Sequence, residues 1–174
     1  MKHVMVDIET LGSAPGSVIL SIGAVEFDLK NTAKNTFYRR INLDSSILSG
    51  CTIDPDTVKW WSDQAYDAIH AAFFVPGEVL LCDALPAFGQ FVDKNTILWA
   101  KGPDFDCVML KAVYDLLKLP VPWSFRNMRD VRTILTLSGV KQVENRNAHD
   151  AKADAINQAD AVIRAHEKLG VELE

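Results

Sequence analysis

Val4-Met5-Val6-Asp7-Ile8-Glu9-Thr10 is the stretch on which the reading of this chain turns. Its first residues are apolar on both faces, as in a central strand covered from either side. Side chains alternate along a strand, so Asp7 and Glu9 share one face with Cα atoms roughly 7 Å apart. Two carboxylates placed this way at the end of a buried strand repel each other and lose hydration. A cation between them relieves that cost. Taken alone, an Asp-x-Glu pair more simply marks a strand that has reached the surface.

Working outward, a turn-forming Ser13-Ala14-Pro15-Gly16 precedes residues 17–28, which are rich in β-branched side chains and read as a second strand. Residues 36–41 read as a third, completing a β-meander. Asp54-Pro55-Asp56 then has the form of an N-cap with proline at the first helical position, leading into a helix over 57–64. A further helix is predicted over 83–92, where Pro86 is tolerable only within the first turn. Residues 96–100 form a short apolar strand and 105–117 an amphipathic helix. After Pro120-Val121-Pro122 come a helix over 128–137, closed by Ser138-Gly139, and a last one over 149–169. This succession predicts an α/β domain with a mixed sheet.

The chain has 174 residues, 48% of them hydrophobic and 24% charged, which suits one globular domain spanning 1–174. Its formal charge of −5 shows no basic surface of the kind that binds duplex nucleic acid. No apolar run approaches the roughly 20 residues of a membrane span. Nor does the amino terminus have the layout of a signal peptide. Cys51, Cys82 and Cys107 are odd in number and lack zinc-ligand spacing, so the expectation is a reduced, cytoplasmic protein.

Two more groups of acids follow. Strand 96–100 runs into Lys101-Gly102-Pro103-Asp104-Phe105-Asp106 and then a helix. Open α/β sheets bind ligands at the carboxyl ends of their strands, where this pair falls. Alone, Asp104 would be a helix N-cap and Asp106 a first-turn acid favoured by the dipole. The third group is His149-Asp150-Ala151-Lys152-Ala153-Asp154. Helix positions five apart are poorly aligned, so His149 and Asp154 converge only if His149 sits at or before the first turn. Within a regular helix Asp150 and Asp154 would pair instead.

Asp7-Ile8-Glu9-Thr10, Phe105-Asp106-Cys107-Val108-Met109-Leu110 and His149-x-Ala151-x-x-Asp154-Ala155 resemble the three exonuclease motifs of the DnaQ-like DEDD superfamily. The His-x-x-x-x-Asp spacing matches its DEDDh branch. Ser21-Ile22-Gly23-Ala24-Val25-Glu26-Phe27 and Thr57-Val58-Lys59-Trp60-Trp61-Ser62-Asp63-Gln64 are similar to a phage and bacterial subgroup. That subgroup includes phage exonuclease A, exodeoxyribonuclease VIII-like proteins and mycobacterial ribonuclease AS. The resemblance implies a ribonuclease H-like fold, with a five-stranded sheet of the meander plus parallel strands. It also implies two divalent metals and 3′→5′ removal of nucleotides, and has Thr10 and Leu11 touch the terminal sugar and base. One departure stands out: many relatives have Asn ahead of Phe-Asp, where this chain has Lys101-Gly102-Pro103-Asp104, leaving Lys101 as a cation able to reach a phosphate.

The chemistry suits the residues. Two metals roughly 4 Å apart serve both ends of an in-line phosphodiester displacement. Mg²⁺ or Mn²⁺ prefers hard oxygen ligands, and Asp7, Glu9, Asp106 and Asp154 offer only those. Histidine titrates near neutrality, so His149 is the candidate general base. Setting the four acids aside, the rest of the chain is nearly neutral, which is compatible with a modest single-strand groove. On the helix after Asp54, Val58, Trp61, Ala65 and Ile69 follow core spacing, whereas Thr57, Trp60 and Gln64 share a more polar face. Trp60 and Gln64 are thus candidate substrate contacts, Trp60 by stacking on a base. Leu11 could equally be core. The expectation is therefore a two-metal 3′→5′ exonuclease acting on a free, single-stranded 3′ end and releasing nucleoside 5′-monophosphates. A binding module with dead chemistry on the same fold and an endonuclease are the alternatives. DNA or RNA preference and homodimer formation are left open.

Overall fold

The computed structural model describes residues 1–28, 31–74, 78–143 and 149–171. Strands β1 (His3–Thr10), β2 (Ile19–Asp28) and β3 (Asn31–Ile41) form the meander, each antiparallel to the next. Two short helices, α1 (Leu43–Leu48) and α2 (Pro55–Ser62), and a third, α3 (Tyr66–Phe73), lead to the two-residue β4 (Glu78–Val79). Helix α4 (Leu81–Phe91), strand β5 (Ile97–Ala100) and helix α5 (Asp106–Leu116) follow. The described chain ends with β6 (Met128–Asp130), α6 (Val131–Ser138) and α7 (Ala151–Leu169). The sheet order is β4-β3-β2-β1-β5-β6, with β4, β5 and β6 parallel to their neighbours.

The sheet thus has six strands among the described residues, not five. Both edge strands are too short to show as hydrophobic runs. β4 exists because Arg40 and Ile41 pair with it, with the buried Arg40 guanidinium 3.1 Å from Glu78. β6 occupies the first residues of the predicted helix over 128–137. That helix begins only at Val131, where Asp130 caps it by accepting from the N–H groups of Arg132 and Thr133. The meander and the mixed sheet agree with the expectation. Pro86 does not: α4 begins at Leu81, so the proline falls past the first turn, where it denies the Cys82 carbonyl an intrahelical donor. Cys82 and Pro86 are both exposed, so water can satisfy that carbonyl.

β1 is buried on both faces, as its apolar start requires. Val4, Val6 and Ile8 face a core shared with α4 and α5, including Leu85, Phe88, Met109 and Leu110. Met5 faces a second core, formed with Val25, Phe27, Trp99 and the α7 residues Ala155, Ala159 and Val162. The register of alternation therefore sends Asp7 and Glu9 toward α7. That helix lies close to the sheet because its inner stripe is built largely of alanine. Gly23, directly across the ladder from Asp7, makes room for its first turn. A Cβ at position 23 would lie 2.2 Å from the Ala151 carbonyl carbon. Among the described residues, no helix is long and apolar enough to cross a membrane.

Candidate active site

Three elements deliver the acids to one place. Asp7 and Glu9 come from the end of β1, Asp106 from the first residue of α5, and Asp154 from the first turn of α7. Carboxylate oxygens of Asp7, Glu9 and Asp154 lie within 4.8 Å of one another. Asp106 is tied to the same strand, its Oδ1 accepting from the Ile8 N–H at 3.2 Å. Asp104 does not cap α5; Phe105 occupies that position. All four acids line a cavity of about 540 Å³, together with His149, Lys101, Phe105 and Gln158. Lys101, which stands in the stretch where many relatives have Asn, contributes a cation to the lining of this cavity.

The electrostatics are those of crowded, shielded negative charge. Burial, reinforced by Asp154, Asp106 and Asp150, pushes Glu9 up to about 8 from an ordinary 4.5. Burial likewise lifts Asp106 to about 7, against the lowering pull of its backbone hydrogen bonds and of the Arg132 charge. Asp7 is held well above its ordinary value by burial and then by Asp106, Glu9 and Asp154. Among the described residues no lysine or arginine forms an ion pair with Asp7 or Glu9. Such a cluster of hard oxygen donors, short of positive charge, fits divalent cations such as Mg²⁺ or Mn²⁺.

His149 precedes α7 rather than belonging to it. Asp150 is the N-cap, its side chain accepting from the Ala153 N–H at 2.8 Å. His149 adopts a left-handed backbone with φ of 68°, an uncommon state for a residue with a side chain. Its N–H donates to Asp154 Oδ2 at 2.8 Å. That bond explains the five-residue spacing: the carboxylate in the first helical turn pins the histidine that the turn itself cannot align. The imidazole stands edge-on to Trp60 and Trp61, at centroid distances of 5.0 and 5.9 Å.

A smaller cavity of about 240 Å³ adjoins the first, sharing Ile8, Glu9 and Phe105 with it and adding Thr10, Thr57, Trp60 and Trp61. Trp61 is buried and its Nε1 donates to the Thr10 carbonyl at 2.9 Å, locking α2 onto the end of β1. Trp60 is 44% exposed at the mouth. The Thr10 hydroxyl donates to the Gly12 carbonyl. Leu11 and Gln64 line neither cavity. Leu11 is a core residue, and the Gln64 amide donates back to the Trp60 carbonyl. Val58 and Ala65 are exposed, because α2 stops at Ser62 and a separate helix starts at Tyr66, breaking the assumed continuous face. Sequence reasoning missed Gln158, Phe105 and Gln142 at the large cavity. Gln158 was findable, being one helical turn beyond Asp154 on the same face.

An acidic quartet and an adjacent histidine, at the carboxyl end of the central strand of a mixed sheet, are groups suited to metal-assisted phosphodiester hydrolysis. The comparisons with known proteins agree. The family model described as the Rv2179c-like 3′-5′ exoribonuclease domain matches residues 2–165, and the chain belongs to that family. It is a 3′→5′ exonuclease whose substrate is nucleic acid. The exodeoxyribonuclease of Enterobacteria phage T4 is 22% identical over 159 residues, covering 76% of this chain and 70% of that protein. The nuclease domain of 3′hExo, a DEDDh family member bound to rAMP, has a TM-score of 0.60 at 14% identity, over 99% of this chain and 94% of that one. The cell-death related nuclease 4 (CRN-4) has a TM-score of 0.52 at 11% identity, over 97% of this chain and 64% of that one. At these identities the structural likenesses show a shared fold.

Proposed function

We propose that this exonuclease removes nucleotides singly from single-stranded 3′ ends, RNA foremost, with two divalent cations held by Asp7, Glu9, Asp106 and Asp154. The observation that carries the reading is the convergence of Asp7, Glu9 and Asp154 within 4.8 Å, where the neighbouring acids raise the cost of leaving Glu9 ionised without a cation. Bound there, Mg²⁺ or Mn²⁺ supplies activation of the attacking water and charge stabilisation for the leaving oxygen.

His149 takes the proton of that water, and the Asp154 carboxylate holds its backbone in place. Attack on phosphorus breaks the bond to the 3′-oxygen of the upstream nucleotide, releasing a nucleoside 5′-monophosphate and leaving a new 3′-hydroxyl. Glu9, shared by the two cavities, and Thr10, in the smaller one, receive the terminal sugar, and the exposed Trp60 ring offers a stacking surface for a base. Lys101 reaches a phosphate at the rim of the large cavity. RNA is placed first because of the family's description, and the T4 relative's name supplies the DNA reading. The free thiols of Cys51, Cys82 and Cys107 support a cytoplasmic setting.

The test is a panel of 5′-labelled RNA and DNA oligonucleotides, with free or phosphorylated 3′ ends, in Mg²⁺ or Mn²⁺. A descending ladder from open single strands, RNA fastest, and severe loss on 3′ phosphorylation are expected. A 3′-phosphate adds negative charge beside the acids, in a site where screening is weak. Equal cutting of blocked and open strands would refute the terminal pocket. Asp106→Asn with wild-type turnover would refute the metal assignment.

A further inference from the structure

The buried amide of Gln158 has no place in the mechanism above, yet it is built into the site. Gln158 is 3% exposed and lines the large cavity one turn beyond Asp154. Its Nε2 donates to Asp7 Oδ1 at 2.7 Å. A carboxylate that ligates a cation is ionised and only accepts hydrogen bonds, so as a metal ligand Asp7 needs the donor end of the amide, the end that faces it here. Oε1 is thereby turned away and left buried with no hydrogen-bond partner among the described residues. A buried acceptor without a donor costs free energy. A methionine of similar length would avoid that cost, on a helix whose inner face already carries Ala155, Ala159 and Val162, but would take the donor away from Asp7. Packing therefore does not account for a glutamine here. A lysine or arginine at this position would pair with Asp7 and cancel the charge that draws a cation. A neutral amide orients the carboxylate without cancelling it.

We propose that Gln158 is a positioning residue for Asp7: its N–H holds the carboxylate in one rotation, leaving the remaining lone pairs for the cation. This rests on the reading of Asp7 as a metal ligand. Partners of metal ligands of this kind typically account for about 10- to 100-fold in metal affinity or activity.

Gln158→Met keeps the length and removes the donor, while Gln158→Asn keeps the amide and withdraws it by one methylene. The measurements are Mn²⁺ affinity by titration calorimetry, metal-free melting temperature, and kcat and KM on an open single-stranded RNA oligonucleotide. Both variants should bind Mn²⁺ about 10- to 100-fold more weakly and lose kcat with KM little changed. The metal-free melting temperature of Gln158→Met should stay close to that of the wild type, since the relief at Oε1 offsets the donor lost by Asp7. Wild-type Mn²⁺ affinity and kcat in either variant would overturn the proposal, as would activity losses that merely track lower metal-free stability. Asp7→Asn is run alongside. If it binds Mn²⁺ and turns over normally, the metal assignment itself fails. If it is inactive while Gln158→Met is normal, only the role of Gln158 fails.

Discussion

Glu9→Gln should stabilise the metal-free protein, and the gain should grow with pH. In the folded chain Glu9 holds its proton up to about 8, against an ordinary 4.5. Because the folded value is the higher one, folding is favoured by protonation. The contribution is fully present below about 4.5 and is lost as pH rises toward 8. At about 1.4 kcal/mol per pH unit, the full loss is about 5 kcal/mol, and about 3 kcal/mol of it has developed by pH 7. Gln is neutral at every pH and nearly isosteric, so it escapes this loss. Since Asp7, Asp106 and Asp154 still repel one another, the expected gain at pH 8 is about 2–5 kcal/mol, or roughly 5–15 °C in Tm for a chain of this size. Near pH 4 the difference should vanish. The assay is thermal or urea unfolding of both proteins with chelator present, from pH 4 to pH 8.5. Saturating Mn²⁺ should reverse the order, stabilising the wild type more than the variant. A Glu9→Gln protein no more stable than the wild type at pH 8, or a gap that does not widen with pH, would refute the account of shielded charge.

Gly23→Val should drive the start of α7 off the sheet, since even a Cβ would meet the Ala151 carbonyl carbon at 2.2 Å; unfolding should show a loss of about 1–3 kcal/mol, and hydrolysis should fall more than 100-fold. His149→Ala should lower kcat by about 10²- to 10⁴-fold, the usual range for a general base, with Mn²⁺ affinity by calorimetry unchanged; weakened metal binding instead would make His149 a ligand. Trp60→Ala should raise KM for single strands by about 5- to 150-fold, from a stacking contact worth roughly 1–3 kcal/mol, and steady-state kinetics showing a pure kcat effect would assign the ring to holding His149.

What could be read along the chain was local or periodic. Alternation in Val4–Glu9 gave a buried strand with two acids on one face, and the caps at Asp54 and Gly139 sit where turn chemistry puts them. The ordered motifs around Asp7, Asp106 and Asp154 carried the nuclease assignment, because ligand sets of one chemistry recur in one order. Tertiary structure decided the rest. β4 and β6 are strands because longer neighbours recruit them, not because their two and three residues favour extension. Val58 and Ala65 are exposed and Gln64 bonds back to Trp60 because α2 ends at Ser62, and a helix end cannot be seen in a pattern that happens to continue past it. Gln158 reaches Asp7 across 151 positions of chain. Periodicity places a side chain on a face, but only packing decides what that face meets.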